Sequence, residues 1–266
     1  MISLPLSWMP DVRKLTLAAL ISIVWMSGWA RAAEVLVMIG EDEYRTWETL
    51  PEFAKTELEP RGHRVSVIEA DSSDKNSFPG LEAALSKAEL LVVSVRRRPL
   101  PKDQMAALRA FVASGKPVVG IRTASHAFAP KANEPMDEAR LAAWPDFDAQ
   151  VLGGNYHNHH HGGDKTSITV ATGAASHPIL AGIRLEELVG NGTLYKNEPL
   201  APSARALLIG AIPNQPAEPV AWTHRAVPGG GRVFYTSLGH PEDFGQKAFR
   251  QLLSNAVEWG LKKSAD

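Results

Sequence analysis

The 266-residue sequence contains no cysteine, which excludes disulfides, cysteine-ligated metals, iron–sulfur centres and every thiol nucleophile. It also lacks an excess of positive charge, because 28 Lys and Arg stand against 29 Asp and Glu. Nucleic-acid binding is therefore not expected, since it needs basic residues to neutralise phosphates. Aromatic residues are few, at 7%, but hydrophobic residues reach 44%, which is typical of a globular chain with a packed core.

The N-terminal segment has the pattern of an export signal. Arg13 and Lys14 precede an apolar run over residues 15–26, and Ala30-Arg31-Ala32 matches a small-residue cleavage site. The run is shorter than the roughly 20 residues of a membrane-spanning helix. We therefore expect residues 1–32 to be a signal peptide and the protein to be periplasmic or secreted, with an uncleaved anchor as the alternative. No later segment is apolar enough to suggest a membrane span.

After the signal, the first half of the chain alternates strands with helices. Continuous apolar runs predict buried strands, and apolar residues three and four apart predict helices. The predicted strands cover residues 34–40, 64–68, 90–95 and 117–121, and the predicted helices cover residues 50–61, 81–88 and 102–114. This alternation is typical of an α/β fold, a three-layer αβα arrangement with a mostly parallel sheet.

The second half is richer in strands. The predicted strands cover residues 167–170, 206–210, 219–223 and 232–237, and a closing helix covers residues 249–261. Glycines 229–231 separate the last two strands, which predicts a hairpin. Because neither a repeat nor a low-complexity linker interrupts the chain, we expect residues 33–266 to form a single domain.

A first candidate site follows the fourth strand. In parallel α/β sheets, ligands bind beyond the carboxyl ends of the strands. Residues 120–126 have the layout of a tight strand-to-helix turn that presents one side chain, as in a nucleophile elbow. The presented residue is Arg122, which cannot be a nucleophile but can bind an anion or a carbonyl oxygen. The alternative is an ordinary turn in which His126 caps a helix or packs.

A second candidate site is the histidine-rich stretch between glycine pairs at residues 153–163. Two or three of His157, His159 and His160 could ligate a divalent metal such as zinc, or act as acid and base near neutral pH. An exposed loop without function is the alternative, because no carboxylate stands at clear ligand spacing.

A third candidate follows the last strand, where His240, Glu242 and Asp243 place an imidazole and two carboxylates within four residues. This set suffices for general acid–base catalysis, although acids also favour a helix N-terminus. Polar residues of these and neighbouring loops are candidate substrate contacts. They are Glu41, Tyr44, Arg96, Arg97, Ser125, Asn155, Tyr156, Asn191 and Asp243.

Together these segments resemble the ThuA-like (trehalose utilisation) family, whose flavodoxin-like fold is similar to that of class I glutamine amidotransferases. The resemblance runs from Val35 to Trp259. Its carriers are residues 37–41, 120–126, 153–157 and 232–240. Arg122 stands where the amidotransferases have the elbow cysteine, so glutamine hydrolysis through a thioester is excluded. The resemblance implies a small-molecule saccharide partner, namely a disaccharide or its 3-keto derivative.

A 3-keto group acidifies the neighbouring C–H, so a base can remove that proton while cations or hydrogen-bond donors stabilise the enediolate. The catalytic candidates are Arg122, His126, His157, His159, His240 and Glu242. We assign His157 or His159 as the base, Arg122 with His126 as the stabiliser of the enolate oxygen, and His240 with Glu242 as a second acid–base pair.

Alternatives remain open at this point. A metal held by the histidine stretch would replace Arg122 as the electrophile, which describes a metal-dependent hydrolase. A non-catalytic sugar-binding protein is the other alternative, and a homo-oligomer is compatible with either. A two-carboxylate glycosidase is less attractive, because the neighbouring Glu242 and Asp243 point apart.

Overall fold

The computed structural model describes residues 32–131, 133–227 and 229–262, so the predicted signal peptide lies outside the described residues apart from Ala32. The strands are β1 Glu34–Gly40, β2 Arg64–Glu69, β3 Leu90–Val95, β4 Leu100–Pro101, β5 Val118–Ile121, β6 Leu141–Ala142, β7 Asn158–His159, β8 Thr166–Val170, β9 Val189–Gly190, β10 Tyr195–Lys196, β11 Arg205–Ala211, β12 Glu218–Arg225 and β13 Arg232–Thr236. The helices are α1 Thr46–Phe53, α2 Leu81–Lys87, α3 Lys102–Ala113, α4 Pro241–Phe244 and α5 Lys247–Leu261. None of the helices in these ranges is both long and apolar enough to cross a bilayer.

One sheet of nine strands organises the molecule, in the order β2-β1-β3-β5-β13-β12-β11-β8-β9. The strands from β2 to β13 run parallel to their neighbours. From β13 onwards each pair is antiparallel, and β12 with β13 forms the predicted hairpin. The predicted α/β fold is confirmed, with the antiparallel half added at one side of the parallel sheet.

Helices cover both faces of the parallel strands, giving three layers. Successive side chains of a strand point to opposite faces, and β1 follows this rule. Val35 and Val37 pack with the buried side chains of α1 and α5, whereas Leu36 and Met38 pack with those of α2 and α3. The continuous apolar runs therefore arise because these strands are buried on both faces.

The first helical segment differs from its prediction at the N-terminus. Helix α1 begins at Thr46 rather than at residue 50, and it continues through a π-helical turn at Ala54–Leu58 and a 3₁₀ turn at Glu59–Arg61. The Glu41 carboxylate accepts the Thr46 N–H at 2.8 Å, which satisfies a donor in the first turn. This contact comes from outside the helix, so apolar spacing alone placed the start too late.

The carboxyl ends of four adjacent strands meet at one edge of the sheet. Strands β1, β3, β5 and β13 lie next to one another in this order and run parallel, so all four end on the same side of the sheet. The register pairs Thr236 with Ile121, so the residues that follow, Ser237 and Arg122, lie side by side. The candidate residues from distant parts of the sequence are therefore brought to one place by strand order.

Candidate functional site

The turn after β5 is a strained elbow centred on Arg122. Its φ is 45°, in the left-handed region that residues other than glycine seldom adopt. The Arg122 carbonyl accepts a hydrogen bond from the Tyr235 hydroxyl at 2.7 Å and another from Ser125 Oγ at 3.3 Å. These two contacts hold the turn in its strained shape, as the elbow pattern predicts.

The Arg122 side chain is enclosed rather than presented to solvent, with 2% of the residue exposed. Its Nη1 donates to the Ser237 carbonyl at 2.7 Å, and its Nη2 lies 3.2 Å from the Tyr44 hydroxyl and 3.3 Å from Thr193 Oγ1. Its guanidinium lies 4.2 Å from the Tyr44 ring centre and 4.6 Å from the Tyr195 ring centre. Both terminal nitrogens are engaged by protein groups, whereas Nε has no partner among the described residues. The arrangement would let Arg122 act on a ligand through its charge more than through its terminal donors.

His126 is the second buried ionisable group of the elbow. Its ring stacks on Tyr156 with ring centres 4.7 Å apart, and its Nδ1 lies 3.1 Å from Ser125 Oγ. Burial lowers the pKa of His126 to about 3, with further lowering by the charges of Arg97, Arg96 and Arg122. His126 is therefore neutral at physiological pH.

The tautomer of His126 follows from its neighbours. If Ser125 Oγ donates to the Arg122 carbonyl, it accepts from His126 Nδ1–H, and we assign the tautomer on that basis. A neutral imidazole with its proton on Nδ1 has a lone pair on Nε2. In this tautomer His126 offers an acceptor for a hydroxyl group, and the role of His126 at an enolate oxygen stays a prediction.

Three tyrosines gather around this elbow, and we call Tyr44, Tyr156 and Tyr195 the tyrosine cluster. The rings of Tyr156 and Tyr195 lie 4.5 Å apart between centres, and the Arg122 guanidinium contacts the rings of both Tyr44 and Tyr195. Burial raises the pKa of Tyr156 and raises that of Tyr195 well above its ordinary value. The cluster combines apolar ring faces with hydroxyl groups, which suits a polyhydroxy ligand.

The histidine-rich stretch is split between two environments. His157 is exposed and its Nδ1 lies 2.9 Å from the Asn155 carbonyl, while His159 lies opposite Tyr195 in the short β7–β10 ribbon. His160 is buried, with its two ring nitrogens 2.9 Å from Gln215 Oε1 and 3.2 Å from Glu218 Oε1. Among the residues that the structure describes, no three His, Asp or Glu side chains converge as metal ligands. The zinc hypothesis for His157, His159 and His160 stays a prediction.

The segment after β13 places His240 beside the tyrosine cluster. The His240 ring lies 6.2 Å from that of Tyr44, and its Nδ1 accepts the Glu242 N–H at 3.4 Å. Glu242 itself is exposed. Asp243 is fully buried and accepts from the N–H groups of Gly239 at 2.8 Å and His240 at 3.0 Å. Asp243 therefore positions His240.

Asp243 also joins two loops, because its Oδ1 accepts from the Asn191 N–H at 3.0 Å and from Asn191 Nδ2 at 2.8 Å. Asn191 is thereby engaged by protein. Asn155, at the exposed end of the histidine-rich stretch, donates through Nδ2 to the Glu198 carbonyl at 3.1 Å. Asn191 Nδ2 also donates to the Val189 carbonyl at 3.4 Å. Both residues stay candidate substrate contacts, although their side-chain amides already donate to protein groups.

Glu41 is a structural carboxylate at the end of β1. Its Oε2 accepts from the N–H groups of Glu43 at 2.7 Å and Tyr44 at 2.6 Å. Its Oε1 accepts from the Thr46 N–H at 2.8 Å and from Thr46 Oγ1 at 2.7 Å. Four donors fill the carboxylate, so Glu41 holds the loop that carries Tyr44 and has little capacity left for a ligand.

Sequence reasoning missed one buried carboxyl next to the tyrosine cluster, Asp148. Its Oδ2 accepts the Tyr156 N–H at 2.7 Å, and its Oδ1 has no partner among the described residues. Burial raises the pKa of Asp148 to about 7, although the bond from Tyr156 acts in the opposite direction. Asp148 shares a helical face with the apolar Trp144 and Val151 in the sequence, and this spacing was the available signal.

Comparison with known proteins agrees with this geometry. A family model described as ThuA, trehalose utilisation, matches residues 34–260. No curated protein matches the sequence. A ThuA-like protein from Parabacteroides merdae is similar in structure, with a TM-score of 0.57, 17% identity, and coverage of 89% of this chain and 92% of that one.

Two further structures share the fold over part of their length. β-Galactosidases from Bacillus circulans sp. alkalophilus and Rahnella sp. R3 match with TM-scores of 0.54 and 0.52 and identities of 15% and 16%. The matches cover 85% and 87% of this chain but only 31% and 32% of those enzymes. At such identities the likeness concerns the fold alone.

Proposed function

Because the chain belongs to the trehalose utilisation (ThuA) family, we propose that it processes a disaccharide, or its 3-keto derivative, by acid–base chemistry at the tyrosine cluster. The observation that carries the proposal is the enclosed Arg122 guanidinium in contact with the rings of Tyr44 and Tyr195, with neutral His126 in the same turn. A fixed cation under aromatic hydroxyls can stabilise negative charge that develops on a sugar oxygen.

In this proposal Arg122 and His126 act on different groups of the sugar. Arg122 stabilises an enediolate through its field, and the half-buried Arg96 and Arg97, which also depress the pKa of His126, add to that field. His126 accepts a hydrogen bond from a sugar hydroxyl through Nε2. This role uses the tautomer in which Nδ1 holds the proton and donates it to Ser125 Oγ.

His240 is the proton donor in this scheme. Its Nδ1 accepts the Glu242 N–H, so the neutral ring carries its proton on Nε2. A donor on Nε2 can protonate the glycosidic oxygen that leaves after enolisation. His157, whose Nδ1 donates to the Asn155 carbonyl, has the opposite tautomer and is the candidate base that removes the proton next to the ketone.

A second candidate function is sugar binding without turnover. Aromatic residues make up only 7% of the sequence, yet three of the four tyrosines in the chain form the tyrosine cluster. Sugar sites favour aromatic faces with polar rims. The tyrosine cluster therefore supports sugar binding without turnover as the second candidate function.

Turnover of a 3-keto disaccharide and of the parent disaccharide tests the proposal. His240→Gln should lower kcat by about 10²-fold or more, the contribution of a general acid, and His126→Gln should raise KM because the hydroxyl acceptor is displaced. The matched control is His177→Gln, which lies away from the site near Trp259. Binding of either sugar without turnover in the wild type would favour the binding protein, and unchanged kcat in the His240 variant would overturn the role given to His240.

We also propose that the protein is exported to the periplasm or the medium, because residues 1–32 have the pattern of a signal peptide. Intact mass of the protein from a periplasmic fraction tests it. Loss of the first 32 residues supports cleavage, and retention of the full chain supports an anchor.

A further inference from the structure

Three consecutive arginines follow β3, and they have different partners. Arg96 pairs with Glu43 at 2.8 Å, and Arg98 pairs with Asp42 at 2.6 Å. Arg97, between them, donates to the Pro130 carbonyl at 3.3 Å and has no carboxylate partner among the described residues. A charged guanidinium without a counter-ion, next to two that have one, indicates that its charge serves another purpose.

Arg97 lines a cleft of about 190 Å³ together with Lys75, Arg98 and Lys131. Glu134 is the acidic residue in the lining, and it pairs with Lys131 at 3.2 Å. Asp42 lies behind the cleft and is shared by Lys75 and Arg98. Counting both carboxylates, four cations face two anions, so the cleft has an excess of positive charge.

Arg98 lines the cleft although only 7% of the residue is exposed. Its Nε has no partner among the described residues, so the guanidinium keeps hydrogen-bonding capacity beyond its pair with Asp42. A buried cation of this kind is stabilised when an anion lies close to it. Lys75 adds a second charged donor at the rim.

The cleft is joined to the candidate site by the backbone. Arg97 has a φ of 51°, a strained conformation for arginine, and its N–H donates to the His126 carbonyl at 3.0 Å. The next N–H, that of Arg98, donates to the Ala127 carbonyl at 2.7 Å. One side of the arginine segment therefore fixes His126 while its side chains line the cleft.

We propose that this cleft is a subsite for an oxyanion carried by the saccharide, a carboxylate or a sulfate or phosphate ester, bound by Arg97 with Lys75 and Arg98. The volume suits one substituent and not a disaccharide, since whole-ligand pockets are about 300 Å³ or more. The inference rests on the proposed function, because it names the class of saccharide: one with an acidic group close to the ring that contacts His126.

Binding to the full-length protein tests the subsite, with glucuronate, glucose 6-phosphate and glucose as probes in calorimetry. Arg97→Gln should weaken the charged probes about tenfold or more, the loss expected when a charge-assisted contact is removed, and raising the salt should weaken them as well. Arg64→Gln, at the exposed pair with Glu34, is the matched control and should change nothing. Comparison of the affinities for glucuronate and for glucose 6-phosphate identifies whether the cleft prefers a carboxylate or a phosphate ester.

Lys75→Gln is a second variant for the case in which Arg97→Gln does not fold, and it should weaken the same probes about threefold. Equal affinity of wild type and both variants for glucuronate and for glucose 6-phosphate would overturn the subsite. So would equal affinity of the wild type for glucose and for both charged probes.

Turnover separates this inference from the proposed function. Faster turnover of a 3-keto disaccharide with a uronic acid ring than of its neutral counterpart, with the preference lost in Arg97→Gln, supports both. Equal turnover of the two overturns the subsite and leaves the catalytic proposal standing. Arg97-dependent binding of the charged probes without turnover of either supports the subsite and overturns the catalysis.

Discussion

The Tyr235 hydroxyl donates to the Arg122 carbonyl at 2.7 Å, across 113 positions of sequence. Tyr235 is entirely buried in the last strand of the parallel part of the sheet, and Arg122 is in a left-handed conformation at the end of the neighbouring strand. The bond ties the strained elbow to the sheet, so the position of the buried cation depends on one phenol.

Tyr235→Phe should lower the free energy of unfolding by about 1–3 kcal/mol, because the buried Arg122 carbonyl loses its short hydrogen bond. Urea denaturation measures this. Tyr156→Phe is the matched control, since the Tyr156 hydroxyl has no hydrogen-bond partner in the described part of the chain, and it should stay within about 0.5 kcal/mol of wild type. Equal stability of the two variants would contradict the role given to Tyr235.

Acid should destabilise the wild type through His126. The pKa of His126 is about 3 in the folded protein, below the ordinary 6.5, so below pH 6.5 the unfolded chain binds a proton that the folded chain does not. Stability from this group is therefore lost as pH falls, by up to about 1.4 kcal/mol per pH unit. The free energy of unfolding of the wild type minus that of His126→Gln should therefore decrease as the pH is lowered from 7 to 4, by up to about 1.4 kcal/mol per pH unit. His161→Gln, at an exposed position, should show no such change.

Asp148 should act with the opposite sign. Its folded pKa of about 7 lies above the ordinary 3.8, so between these values the folded chain holds the proton and the unfolded chain does not. Stability from this group is present at low pH and is lost as pH rises through 7. Asp148→Asn should therefore gain about 2–3 kcal/mol over wild type on going from pH 5 to pH 8. Asp146→Asn, exposed two residues earlier, is the control, and a parallel pair of curves for Asp148→Asn and wild type would refute the assignment.

Glu41→Gln should loosen the loop that carries Tyr44. An amide keeps one acceptor but turns N–H donors towards the N–H groups of Tyr44 or Thr46, so we expect a loss of about 2 kcal/mol or more. Hydrogen exchange should become faster at the amides of Glu43, Tyr44 and Thr46. Glu48→Gln breaks only an exposed pair with Arg45 and should cost under about 1 kcal/mol. Unchanged exchange in the Glu41 variant would show that the carboxylate is dispensable.

The sequence predicted the sheet well because burial on both faces leaves a direct signal. Residues 34–40 and 90–95 are mostly apolar runs, broken only by Glu34 and Ser94, and both are strands with these bounds. The start of α1 was placed late because the Thr46 N–H is satisfied by Glu41, a contact invisible to periodicity. The elbow at Arg122 was located because a glycine and small polar residues follow a buried strand.

The site was predicted less completely, since its members meet only through long-range contacts. Thr193 lies 71 positions and Ser237 lies 115 positions from Arg122, and both contact its side chain. No local sequence pattern predicts such partners. Arg122 was expected to face a ligand, but strand order buries it among these residues. Asp148 was missed because the only local sign of its burial is its helical spacing from the apolar Trp144 and Val151.

The elbow depends on residues that lie far apart in the sequence. During synthesis, Tyr235 is added 113 residues after Arg122, when most of the chain has been made. Until then the arginine segment has neither the phenol nor the Ser237 carbonyl that hold it, and a left-handed arginine does not persist without them. Chains truncated before β13 would therefore carry Arg122 without the phenol and the carbonyl that hold it, and so without the site.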